Sequence, residues 1–190
     1  MRQRGLVGLA GVALGLTAEW VGTGWGDPRH WIPDLAVGWT FIGCGLIAWT
    51  RRPESRTGAL LAATGFTWFV GNFANVGVAA PAWVAAHLVY LHRGPLVQLV
   101  LTYPSGRPGS RLVRGAVAVG YAAAVITPIW RSEAATILLA GLLLAVCARE
   151  YGRAVGGARR ARLVALQAAA GLSLVLAGTA AVRLLLTQGG

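Results

Sequence analysis

Long uninterrupted apolar runs, separated by short clusters of arginine, proline and glycine, dominate the chain. Seven such runs stand out, at about residues 5–24, 35–50, 58–76, 82–103, 115–130, 134–148 and 163–186. Within each run apolar residues follow one another without the polar–apolar alternation of a barrel strand, so the pattern predicts helices. A helix needs about 20 mainly apolar residues to cross the hydrocarbon core of a bilayer. The predicted fold is therefore all-α: one polytopic transmembrane bundle of about seven helices spanning residues 1–190. Proline and glycine fall between the runs, where turns require them.

The arginines give this threading a direction. With the N-terminus in the cytoplasm, the inner side receives Arg2, Arg4, Arg51, Arg52, Arg56, Arg107, Arg111, Arg114, Arg149, Arg153, Arg159, Arg160 and Arg162. The outer loops receive only Arg29 and Arg131, and Arg93 and Arg183 fall inside runs. That asymmetry is the positive-inside pattern of a multi-pass protein of the cell (inner or plasma) membrane. Trp20, Trp25, Trp31, Trp83 and Trp130 fall near the outer interface, which suits amphipathic rings. An odd number of crossings places residue 190 outside.

Composition narrows the class further. Charged residues make up 12% of the chain and hydrophobic ones 56%, too little polar material to coat a soluble domain of this size. The net charge of +11 would suggest nucleic acid in a soluble protein, but here it resides in the inner loops and no nucleic-acid partner is expected. Those loops are suited instead to anionic lipid headgroups. Cys44 and Cys147 lie in apolar runs as small hydrophobes. The start, Met1 to Arg4 before an apolar run, has the outline of a signal peptide but no clear cleavage site, so a retained first helix is expected. Gly11 and Gly15 form a GxxxG pair that permits close helix contact, within one chain or in a homodimer.

Ionisable groups at membrane depth are costly, which makes them site candidates. His92 and Arg93 lie mid-run in the fourth segment, followed by Gly94 and Pro95. They read either as a ligand or proton site or as structural groups satisfied by backbone carbonyls. Trp68, Asn72 and Asn75 follow a helical spacing of four and three, sharing one face of the third segment. With His87 they could line a pocket, or simply bond helix to helix. Glu19 and Asp34 flank the first outer loop with Trp20, Trp31 and Trp39, either as acid–base residues or as solvated carboxylates at the interface. Pro95 deprives the carbonyl of Leu91 of a helical partner and predicts a kink there.

Other chemistries find no foothold. Metal-type spacings and phosphate-binding glycine loops are missing, so neither metal nor cofactor is expected. The chain contains no lysine, which removes the Schiff base of a microbial rhodopsin. His87 and His92, five residues apart, are poorly aligned to hold a haem between them.

Two strings are distinctive. AWTRRPESRTGALLAATGFTWFVGNF (Ala48 to Phe73) and LHRGPLVQLVLTYPSGRP (Leu91 to Pro108), with RRAR at Arg159 to Arg162, resemble the multi-helix N-terminal membrane region of actinobacterial sensor histidine kinases, over most of the chain. The resemblance implies a sensory, signal-transducing bundle of a two-component system. In that family the bundle precedes a cytoplasmic catalytic region that phosphorylates a response regulator. This chain lacks the phospho-acceptor helix, the ATP-lid glycines and a final crossing, so any contact with a response regulator would run through a kinase region it does not contain. Two other classes fit the residues. One is a small membrane enzyme acting on a lipid or isoprenoid, with Glu19, Asp34 and His92 as catalytic groups. The other is a transport or accessory subunit. In the sensor reading, His92, Arg93, Trp68, Asn72 and His87 are the ligand-binding candidates.

Overall fold

In the computed structural model, which describes residues 2–188, all regular structure among the described residues is helical. Nine α-helices follow one another: α1 (Arg2–Thr23), α2 (Pro28–Arg51), α3 (Thr57–Trp68), α4 (Ala79–His87), α5 (Arg93–Thr102), α6 (Arg111–Val125), α7 (Thr127–Trp130), α8 (Glu133–Arg153) and α9 (Gly156–Gln188). A 3-10 segment, Phe69–Asn75, continues α3. Among the described residues four stretches are long and apolar enough to cross a membrane: Gln3–Thr23, Pro28–Arg51, Glu133–Arg153 and Gly156–Arg183. The chain divides into two compact units, residues 1–96 and 97–190.

The helix boundaries differ from the hydropathy pattern in instructive places. The second apolar run begins near residue 35, yet α2 starts at Pro28. Asp27, in an extended conformation, caps it by accepting a hydrogen bond from the Arg29 backbone N–H at 3.0 Å, and Pro28 occupies the first helical position, where a missing N–H costs nothing. The third run is α-helical only to Trp68 and then tightens. The fourth run is not one helix: α4 ends at His87, a turn covers residues 88–92, and α5 begins at Arg93. Pro95 explains the break, since its ring disfavours the helical position of the carbonyl four residues back. The fifth run breaks at Ile126, two residues before Pro128, and the short α7 follows.

In the first unit, α1 and α2 form a hairpin closed by Gly24 (φ 58°) and Trp25 (φ 57°), left-handed positions that turn the chain within a few residues. The α2–α3 contact is closer still. A Cβ added at Gly45 would stand 2.5 Å from the Ala62 nitrogen, and one at Gly65 2.5 Å from the Gly38 carbonyl oxygen. Only glycine lets these two backbones touch. Gly11 and Gly15 likewise face α2 of the same chain, against Ile42 and the Trp39 indole. The Trp39 Nε1 donates to the Gly11 carbonyl at 3.2 Å. Phe69, fully buried, is the centre of this core, with Ala18, Leu35 and Ile42 around it.

The second unit is built on the α8–α9 hairpin. Ser132 caps α8 by accepting from the Ala135 N–H at 3.2 Å, and Ser110 caps α6 by accepting from Val113. Val100, Leu101, Val113, Leu143, Val146, Cys147 and Ala169 form its core. Ser173 of α9 donates to the Ala140 carbonyl of α8 at 2.9 Å, a bond between helices that needs no water. Arg162 donates to the Leu101 carbonyl at 2.8 Å.

Candidate functional site

The two polar clusters that the sequence keeps apart are one site in the first unit. Glu19 lies on α1, about one turn before its end. Asp34 lies two turns into α2. Both fall inside stretches able to cross a membrane. The α1–α2 hairpin sets these two positions side by side, and α3 with its 3-10 continuation supplies the donors.

Asn72 is the centre of the arrangement. Its Nδ2 donates to Glu19 Oε1 at 2.9 Å and to Asp34 Oδ2 at 2.8 Å. One amide therefore ties a carboxyl group of α1 to a carboxyl group of α2. Trp68 completes Asp34 by donating from Nε1 to Oδ1 at 2.6 Å. Asn75, one 3-10 turn further, donates to the Gly22 carbonyl at 3.4 Å. A 3-10 helix has three residues per turn, so Asn72 and Asn75 stack directly above one another. The tightening after Trp68 thus aims both amides at α1. Gly22 makes the approach possible, since a Cβ there would lie 3.1 Å from the Asn72 Cβ.

Glu19 is 0% exposed, so it is not a solvated interfacial carboxylate. Its second oxygen, Oε2, is buried without a hydrogen-bond partner among the described residues. Asp34 differs, because each of its oxygens accepts a donor. Two acidic groups on one amide are thus solvated unequally.

His92 joins the site from the turn that interrupts the fourth run. Its ring lies 4.7 Å from that of Trp68, tilted by 58°, and its Nδ1 is buried without a partner among the described residues. Its sequence neighbour takes another direction: the Arg93 guanidinium stacks over Tyr90 at 3.8 Å. Tyr90, which sequence reasoning passed over, lies 6.2 Å from His92 between rings. Its only signal was its place in the same short motif. His87 turns to its own helix, with Nδ1 2.8 Å from the Trp83 carbonyl and its ring 4.1 Å from the Trp83 ring. The structure therefore brings together Glu19, Asp34, Trp68, Asn72 and His92.

Glu19 is closed off from solvent, whereas Asp34, Trp68, Asn72 and His92 are half-buried. An apolar groove of about 460 Å³ lies between the 3-10 segment and α4, lined by Val70, Phe73, Ala80, Pro81, Val84 and Ala85. None of the candidate residues lines it. Among the described residues, no group of three or more His, Cys, Asp or Glu could hold a metal ion. Compared with known protein families, characterised proteins and solved structures, the chain matches none.

Proposed function

We propose that this chain is a multi-pass sensory bundle of the cell membrane, N-terminus in the cytoplasm, in which a stimulus is converted into a change of helix packing at the Glu19–Asn72–Asp34 centre. One observation carries the reading: a single half-buried amide holds acidic groups from two different helices. Any event that alters the charge or bonding of that centre changes the energy of the α1–α2–Asn72 arrangement. A stimulus shifts a conformational equilibrium only when it interacts differently with the two packings, and this centre is where such a difference can arise. The inner arginine clusters, exposed at Arg107, Arg111, Arg114, Arg153, Arg159 and Arg160, supply the contact to anionic lipid headgroups.

The burial of Glu19 supports this reading over the enzyme reading. A lipid or isoprenoid substrate would have to reach Glu19, which has no exposed surface. A transport role has one observation in its favour, the break at residues 88–92 beside His92, because discontinuous helices form ion and substrate sites in transporters.

Two measurements test the proposal. Mapping the accessibility of single engineered cysteines from each side of the membrane is expected to place the arginine clusters inside. The reading frame beyond codon 190 is expected to continue into a further crossing and an ATP-binding kinase region. A stop codon at that point overturns the link to a kinase and moves the transport reading to the front.

A further inference from the structure

The hydrogen bonds around Glu19 and Asp34 are unequal in a way that identifies a ligand. A carboxylate offers only acceptors. Asp34 is supplied with donors at both oxygens, from Trp68 and Asn72. Glu19 receives one donor at Oε1, while Oε2 is buried and receives none among the described residues. A charged oxygen without a donor in a fully buried position is the most costly arrangement available to a polar group. Both carboxyl groups accept from the same Asn72 nitrogen, so two acidic groups stand side by side on a single amide.

We propose that the Glu19–Asp34 pair is a binding site for one proton, carried on Glu19. The proton removes the charge from the buried oxygen that has no donor among the described residues. Asp34 is held by Trp68 and Asn72, one donor to each of its oxygens. Asn72 then needs no rearrangement to serve both groups, since each still presents an acceptor to it. This rests on the sensory reading only in its consequence: the proton would be the stimulus, taken from water and returned to it as O–H bond cleavage at Glu19.

Release of the proton leaves two like charges on one amide, which disfavours the α1–α2 contact. The other groups facing the pair are few. α3 and the 3-10 segment carry no titratable side chain. The turn after α4 brings His92 against Trp68, ring to ring at 4.7 Å, and Tyr90 with Arg93 stacked on it. On α2 the remaining charges near the hairpin, Arg29 and His30, are exposed, as is Asp27 before it. His87 is engaged with Trp83.

The test is infrared difference spectroscopy of the full chain in lipid nanodiscs. At neutral pH the spectrum should contain the carbonyl stretch of one protonated carboxylic acid, shifted in deuterated water and replaced by carboxylate bands on alkalinisation. Glu19→Gln should abolish it. Should Glu19→Gln fail to fold, carbon-13 labelling of glutamate in the unaltered chain should move the same band. A neutral-pH spectrum without a protonated carboxyl band overturns the proposal. So does a band that persists in folded Glu19→Gln or ignores glutamate labelling. None of these outcomes depends on whether the reading frame continues into a kinase, so this inference and the sensory reading fail separately.

Discussion

Replacing Asn72 with alanine removes one side chain and two hydrogen bonds at once, those to Glu19 Oε1 at 2.9 Å and Asp34 Oδ2 at 2.8 Å. Side-chain hydrogen bonds between helices in membrane proteins average about 0.6 kcal/mol and reach about 1.7, so the pair is worth about 1–3.5 kcal/mol. Two features place this case in the upper part of the range. Both acceptors are carboxyl oxygens, and Glu19 is 0% exposed, so no water replaces the lost donor. The expected loss is about 2–3 kcal/mol. Asn75→Ala is the internal control. That residue is exposed and makes one long bond of 3.4 Å to Gly22, so its removal should cost under about 0.5 kcal/mol. Reversible unfolding of the purified chain in mixed micelles measures both. Equal losses for the two variants, or a loss below about 0.5 kcal/mol for Asn72→Ala, would refute the view that this amide holds the helices together.

Gly45→Val should destabilise by more than about 3 kcal/mol, because the new Cβ meets the α3 backbone, which has no rotamer to yield; its thermal midpoint in micelles should fall well below that of the unaltered chain. Trp68→Phe keeps an aromatic ring over His92 but removes the 2.6 Å bond to Asp34, at an expected cost of about 1–2 kcal/mol. Trp68→Ala should cost distinctly more in the same unfolding assay, and parity between the two would place the value of Trp68 in its indole N–H alone. Ser173→Ala, which removes the buried α9–α8 bond, should cost about 0.6–1.7 kcal/mol. Arg183→Ala should leave stability unchanged within error, since its ion pair with Glu133 at 3.2 Å has an arginine side chain 66% exposed.

Helical class and the apolar character of the longest helices were determined by the sequence alone. Their cause is local and cumulative, since an unbroken apolar run of about 20 residues has no other way to satisfy its backbone in a membrane. The four longest stretches carry that signal in full. Helix ends were less legible, because they depend on single residues. Asp27 with Pro28 began α2 ahead of its apolar run, and Pro95 divided the fourth run into α4 and α5.

The candidate site was legible as residues but not as a site. Glu19, Asp34, Trp68, Asn72 and His92 each stand out as polar groups in apolar surroundings, and the spacing of Trp68, Asn72 and Asn75 shows one shared face. Nothing in the linear order says that this face meets Glu19, 53 residues earlier, or that His92 leaves Arg93 to lie against Trp68. Those pairings depend on how closely backbones approach, which Gly22, Gly45 and Gly65 permit by having no side chain. They also depend on the tightening of α3 into a 3-10 segment, which redirects Asn72 by a fraction of a turn. Hydropathy is a sum over many residues and survives without tertiary contacts. A hydrogen bond between helices is a matter of a few tenths of an ångström, and only the packed structure decides it.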